Sequence, residues 1–337
     1  MLHILHIVNG DSSADVLQAT KMPGDIQPWR EALMAGPAPQ GLSPQEWIAT
    51  RARFLSQDSG QDLEYCTNAL NEQDKVLTSY SRYDEVILWF EYDLFCQVNL
   101  LYLLNWFSRK KLARTTLSLI CINSFPGMIG FRGLGQLSPP QMASLFDQRQ
   151  PVSSEALRLA QQAWGAYCSP EPKELNRLVN ADTSVLPFLK NALLAHLKRF
   201  PSLANGLGKV ENTALDIIAG GINEFEALFC IFSELEPAFG LGDLQFWGSL
   251  KKMISCKEPL IEITGRDNQE KTLSFGDLPH AAFELTKFGE RVWQGQADFI
   301  ETNGVDEWLG GVRLADRQNH WRWNGQKKAV ERFLQPE

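Results

Sequence analysis

The stretch LHILHIVNGDSS, residues 2–13, decides how the rest of the chain is read. Ile4, Leu5, His6, Ile7 and Val8 form an apolar run of strand length. Asn9-Gly10 ends it, and Asp11, Ser12 and Ser13 lead into a helix-compatible segment at 14–20. Strand, tight glycine turn and helix is the opening of an α/β domain. One of Asp11, Ser12 or Ser13 is expected at the N-cap, where a side-chain oxygen accepts an orphan helix N–H. Ligands of open α/β sheets lie outside the carboxyl ends of the strands. The loop 9–13 is therefore the first place to look for a site.

The same grammar recurs downstream. Val86-Ile87-Leu88-Trp89-Phe90 has no polar alternation, which predicts a parallel strand covered on both faces. Glu91-Tyr92-Asp93 ends it, a helix with amphipathic leucines is expected over 94–108, and residues 116–122 read as the next strand, ending at Asn123. Strand, helix, strand at this spacing is a βαβ unit with a right-handed crossover. Between these strands, residues 24–33 suggest an extended piece and a loop. Ser43-Pro44-Gln45-Glu46 is a capping signature for a helix to about 56, followed by one over 62–69. Residues 138–199 read as helices punctuated by Pro170 and Pro172.

From Asn205 the pattern changes. Three helices are expected at 209–219, 224–235 and 243–255, then short strands at 260–264 and 271–274, and a helix over 279–293. Residues 303–314 and 320–324 look like two strands of a hairpin. Three helices with appended strands are winged-helix-like, and Leu285-Thr286-Lys287-Phe288-Gly289 matches an LTxxG turn before the last helix. The fold class expected is an N-terminal Rossmann-like α/β domain with a small parallel sheet (1–135), a helical connector (136–204) and a winged-helix-like α+β domain (205–337).

Composition narrows the functional classes. The 337 residues are 44% hydrophobic and 21% charged, with a formal net charge of −8, as in an ordinary globular protein. Residues 1–150 carry −3 (12 basic, 15 acidic) and 151–337 carry −5 (20 basic, 25 acidic). Neither half recruits nucleic acid or an anionic membrane through bulk charge. The six cysteines are scattered with no CxxC pair, and the start of the chain is a strand rather than a signal peptide. A cytoplasmic protein with reduced thiols is expected. The most apolar window, 86–107, contains Glu91, Asp93, Gln97 and Asn99, which a lipid-spanning helix would not carry.

Four blocks together carry a family resemblance: His6 to Ser12, Asp25 to Pro37, the run from Leu88 to Gln97, and Asn303 to Leu314. They resemble bacterial proteins with the DUF1835 domain, over nearly the whole chain. The family has no assigned activity, so the resemblance implies an N-terminal α/β domain and no catalytic residues.

The chemistry must come from the residues. Asp11, Glu91, Asp93 and Asn123 are all expected just past strand ends. Three carboxylates converging there would suit Mg²⁺, a hard ion that takes oxygen ligands, in a phosphoesterase or nucleotide-processing enzyme. The competing reading has Asp11 and Asp93 capping the helices that follow them. Arg30 is placed to bind a phosphate or to pair with Glu91 or Asp93, or to form a surface pair with Glu31. With Asn9, Gly10, Ser12 and Gln97 these residues make up the candidate ligand site. Gly10-Asp11-Ser12 also resembles the first block of SGNH hydrolases, with Ser12 as nucleophile and Asp277-Leu278-Pro279-His280 supplying the partners. His3 and His6 sit in the first strand, where packed, hydrogen-bonded histidines are expected. In the last domain the third helix begins with Asp243, Gln245 and Trp247, while Lys251, Lys252 and Lys257 come late, a poor pattern for reading DNA. Trp308, Arg313, Trp321 and Arg322 are the candidate partner surface, with Arg317 beside them, and core packing of the tryptophans is the alternative. The reading that results is a regulatory or interaction protein with a ligand-sensing α/β domain and a partner-binding second domain. A protein partner or a small ligand is favoured over nucleic acid. The metal-dependent enzyme and the serine hydrolase remain as alternatives.

Overall fold

The computed structural model describes residues 2–264, 281–315 and 321–333. Two compact units are present, one of Met1–Leu193 with Trp308–Arg313, the other of Leu194–Glu307 with Leu314–Glu337. The expected strand at 271–274 and the Asp277–His280 block lie outside the described residues.

The first unit begins with β1 (Ile4–Asn9), α1 (Gly10–Ala19), β2 (Asp25–Trp29), β3 (Gly36–Pro37), α2 (Pro44–Ser59) and α3 (Leu63–Thr78). It continues with β4 (Glu85–Glu91), α4 (Leu94–Ser108), β5 (Thr116–Ile122), α5 (Pro139–Ser144) and β6 (Gln150–Pro151), then α6 (Ser154–Tyr167), α7 (Lys173–Leu178) and α8 (Leu189–Leu197). The five-stranded sheet has the order β2-β1-β4-β5-β6. The first four strands are parallel and β6 runs antiparallel to β5. All seven residues of β4 are buried, as its continuous apolar run requires.

Local chemistry explains the helices. Ser43 and Glu46 form the capping box of α2 with Pro44 at its start, and Asp62 caps α3, which runs nine residues past its expected end. In α4, eleven of fifteen residues are buried, polar ones included, so it is enclosed rather than amphipathic. On one face of the sheet, Val8, Leu17, Trp89, Ile120, Leu134 and Leu137 form a single core cluster. His6 is buried in the strand as expected, accepting from Trp89 Nε1 (3.2 Å) and facing the Pro23 carbonyl (3.2 Å).

In the second unit, α9 (Lys209–Ala219), α10 (Phe225–Leu235) and α11 (Asp243–Ile254) match the three expected helices closely. β7 (Ile261–Ile263) pairs antiparallel with β8 (Phe283–Leu285), and Glu224 bridges antiparallel to Ala282. The helix expected from 279 begins only at α12 (Lys287–Trp293), because Phe283 and Leu285 are held in the sheet. Thr286 explains the switch. Its hydroxyl donates to the Pro259 carbonyl (2.6 Å) and accepts from Gly289 N (2.9 Å), capping α12. A Cβ on Gly289 would lie 1.9 Å from the Leu260 carbonyl oxygen, so only glycine lets the helix approach. α13 (Phe299–Asn303) follows.

The expected hairpin between 303–314 and 320–324 does not form. β9 (Glu307–Gly310) lies between β3 and β10 (Val312–Leu314), and pairs parallel with β3. β11 (Trp321–Asn324) pairs instead with β12 (Ala329–Arg332). The Gly310-Gly311 turn packs on the end of α6: Gly311 N donates to the Tyr167 carbonyl (2.8 Å). A Cβ on Gly311 would stand 1.9 Å from the Cys168 oxygen.

Candidate functional site

After β1 the chain forms β2 on one side, then crosses to place β4 on the other. This reversal of strand order opens a crevice outside the carboxyl ends of β1 and β4, the place where open α/β sheets bind ligands. Asn9 ends β1 and Glu91 ends β4, so the crevice is lined by residues the sequence singled out.

Asn9 is the N-cap residue of α1, displacing Asp11, Ser12 and Ser13 from that role, and its side chain makes no capping bond. The carboxamide is committed across the crevice instead, donating to Cys96 Sγ (2.8 Å) and accepting from Asn99 Nδ2 (3.3 Å). Gly10 takes the turn at φ +78°, a conformation that favours glycine. Asp11 is exposed and pairs with Arg30: Nη2 to Oδ1 is 2.6 Å, and Nε lies 2.8 and 2.9 Å from the two oxygens. Hydrogen bonding to Asp11 raises the Arg30 pKa further. Arg30 thus pairs with neither Glu91, Asp93 nor Glu31.

Glu31 turns inward and forms a buried ion pair with Arg51 of α2, Oε1 to Nη2 at 2.7 Å and Oε2 to Nε at 3.1 Å. Arg51 also donates to the carbonyls of Ala32, Ala35 and Pro37. One guanidinium therefore holds the whole loop after β2 in place.

Glu91 accepts from Leu134 N (2.7 Å) with one oxygen and from Cys96 Sγ (2.9 Å) with the other. Burial, with the Asp93 charge nearby, pushes its carboxyl up to about 7. Asp93 caps α4 through Cys96 N (2.9 Å), and burial pushes it up to about 6. Burial likewise drives the Cys96 thiol well above its ordinary range, so it is an inert donor rather than a nucleophile. Gln97 donates to the Glu91 carbonyl (2.7 Å), and Asn123 is exposed and bonded locally to Ser124.

The structure does not assemble Asp11, Glu91 and Asp93 as a metal centre. Asp11 is engaged by Arg30, and Glu91 and Asp93 point at backbone N–H groups. Among the described residues no group of three or more His, Cys, Asp or Glu side chains is placed to hold a metal ion.

Residues 131–137, which the sequence reading passed over, close the crevice. Leu134 and Leu137 are buried with Val8 and Trp89. A Cβ on Gly133 would sit 3.1 Å from Glu91 Oε1, and one on Gly135 would sit 2.2 Å from Ser12 Oγ. Gly135 thus packs closely against one side of Ser12, which stays exposed at the rim. The alternation Gly133-Leu134-Gly135 was the available signal: two positions bare of side chain flanking one apolar anchor. What remains open is the rim at Gly10, Asp11, Ser12 and Arg30. Behind it, two buried polar atoms, Trp29 Nε1 and Asn99 Oδ1, have no hydrogen-bond partner.

The candidate partner surface divides. Trp308 is half-buried with the exposed Arg313 guanidinium 5.7 Å over its ring. Trp321 and Arg322 are 7% and 1% exposed, so they are interior residues. Arg322 pairs with Asp298 (2.8 Å) and donates to the Ser202 carbonyl (3.0 Å), as a buried cation requires. Among the described residues no helix is long and apolar enough to cross a membrane. No family model and no curated protein matches the chain.

Proposed function

We propose that this is a regulatory protein whose α/β unit binds a small anionic ligand at the β1/β4 rim and whose second unit engages a protein partner. One observation carries the ligand reading: the exposed Arg30–Asp11 pair stands at the strand-order reversal, over an α1 N-terminus with no side-chain cap. The first-turn N–H groups of α1 and the Arg30 guanidinium suit a phosphate or carboxylate. Asp11 acts as the ligand's internal competitor, occupying Arg30 until an anion displaces it. The DUF1835 resemblance is consistent with this α/β reading and adds no activity to it.

For the second unit, the order α9, the Glu224 bridge, α10, α11, β7, β8 supports the winged-helix-like reading. The antiparallel β7–β8 pair, not residues 303–324, supplies the appended strands of that reading. The buried acids of the crevice argue against the metal-dependent phosphoesterase, since their oxygens are spent on Leu134, Cys96 and the α4 cap.

Thermal-shift titration with inorganic phosphate, nucleotides and Mg²⁺ tests the proposal. A phosphate-bearing ligand raises the melting temperature of the wild type by mass action. Arg30→Ala abolishes the shift, and Asp11→Ala preserves or enlarges it. A shift untouched by Arg30→Ala sinks the rim site. Mg²⁺-dependent phosphoester cleavage lost in Asp11→Asn would restore the enzyme reading.

A further inference from the structure

Helices α2 and α3 are 16 residues each and are joined by a short turn at 60–62, so they fold back as an antiparallel hairpin. Ala52, Cys66 and Leu70 pack between them, with Ile48 and Leu55 against this small core. Beside that core the hairpin leaves an open pocket of about 420 Å³, within the size range of small-molecule sites. Each wall is a ridge of residues four apart, Gln45, Ala49 and Arg53 on α2 and Leu63, Thr67 and Asn71 on α3. Ile48 and Asp74, both half-buried, add an apolar and an acidic group to the lining. Ala49 is exposed, and its single methyl leaves the middle of the groove open.

The pocket holds one cation and one anion, and the two are not paired with each other. Among the described residues, the side chains of Gln45, Arg53, Asn71 and Asp74 make no hydrogen bond or ion pair with the protein. A neighbouring pair on α3 behaves differently: Lys75 closes on Glu72 at 2.6 Å. Counted from the turn, Asp74 comes level with Ile48, and Arg53 lies five residues further along α2. Five residues of helix rise about 7.5 Å, so the charges stand at separate places along the groove. Asn71 falls between them.

We infer that the α2–α3 groove binds a short zwitterionic peptide, its ammonium on Asp74 and its carboxylate on Arg53. This site is separate from the rim and does not depend on it. Charge complementarity selects the ligand class. A phosphate or nucleic-acid ligand would meet one cation with a carboxylate in the same pocket. An uncharged ligand would strip water from Arg53 and Asp74 and return nothing. A zwitterion satisfies both. The carboxamides of Gln45 and Asn71 each donate and accept, which suits peptide groups. Ile48 and Leu63 offer apolar contact to small side chains. An extended di- or tripeptide spans about 7–10 Å, which matches the spacing of the charges.

The test titrates the full chain with the peptide Ala-Ala-Ala, read by calorimetry and by hydrogen exchange. The peptide is expected to bind and to protect amides in α2 and α3. Its N-acetylated and C-amidated forms, which lack one charge each, bind at least tenfold more weakly. Arg53→Gln abolishes the preference for the free carboxylate over the amide, and Asp74→Asn abolishes the preference for the free amine over the acetylated form. A merely structural role would not divide the two preferences in this way. Ala49→Phe fills the groove and removes binding, with an unchanged melting temperature certifying its fold. Arg158→Gln, an exposed cation on α6, leaves binding unchanged. Equal binding of the capped and free peptides, or binding that survives Ala49→Phe, overturns the proposal. Glycine binding as tightly as the tripeptide overturns the extended ligand class, since its charges are too close to span the groove. Absence of binding to any of these probes overturns the site itself.

Discussion

Arg30 and Glu31 are neighbours in the chain and end in opposite environments. Arg30 meets Asp11 with both side chains more than half exposed (55% and 60%), while Glu31 meets Arg51 at 3% and 0%. An exposed pair gains little, because water and salt screen it. A buried pair is different: its partners have given up hydration, and each now depends on the other. The first pair is exchangeable and suits a ligand rim. The second is fixed and suits a scaffold that positions the rim.

Breaking the inner pair gives the largest effect expected. Glu31→Gln or Arg51→Met leaves a buried charge uncompensated and costs about 3–5 kcal/mol, read by urea unfolding. Arg51 also secures three loop carbonyls, so Arg51→Met should expose the 31–38 segment to hydrogen exchange. A cost below 1 kcal/mol would erase the distinction between the two pairs.

Glu91 gives the next effect, and its sign is unusual for a carboxylate. Its folded pKa, about 7, lies above the ordinary 4.5. Between those values the folded state holds a proton the unfolded state has released. Stability from this group is therefore full below about 4.5 and is lost as pH rises through 7, by on the order of 3 kcal/mol. Asp93 adds a loss in the same direction. His6 acts oppositely: burial lowers its pKa below 6.5, so acid destabilises the fold through it. The difference between wild type and Glu91→Gln isolates the Glu91 part. The variant should gain stability relative to wild type from pH 5 to pH 8, and a flat difference would show that Glu91 ionises normally.

These contrasts also mark what was readable in the sequence. The strand-turn-helix openings at β1 and β4 and the Ser43–Glu46 cap were legible because short-range chemistry sets them. That Asp11, Glu91 and Asp93 would not converge was not legible, because it depended on which nearby donor each carboxylate would find. Leu134 N is 43 residues from Glu91, and no local pattern announces that bond. The β11 misassignment has the same origin. Trp321 and Trp323 alternate as a strand should, but alternation does not select the partner strand, and β12 lay nearer in sequence than β9.

Gly135 tests the closure of the crevice with a smaller expected effect. Gly135→Ala forces a methyl against Ser12, where Oγ and Cβ lie 2.2 and 2.9 Å from the new carbon. Overpacking of this kind costs about 1–3 kcal/mol. Ser12→Gly removes the contacting atoms, so the double variant should recover most of the loss, and additive costs would place the strain elsewhere.

Arg30→Ala gives the smallest stability change and sharpens the comparison most. Losing an exposed pair should shift unfolding by less than about 1 kcal/mol in either direction. The Arg30 backbone N–H still donates to Gln73, so the end of β2 keeps its tie to α3. Anion binding, by contrast, should disappear, because the guanidinium is the exposed cation at the rim. Wild-type ligand stabilisation should also weaken with added salt, as it does for exposed charges within about 8 Å screening at physiological ionic strength. A large stability loss without a change in ligand response would reverse the assignment, making Arg30 the scaffold and leaving the rim without its receptor.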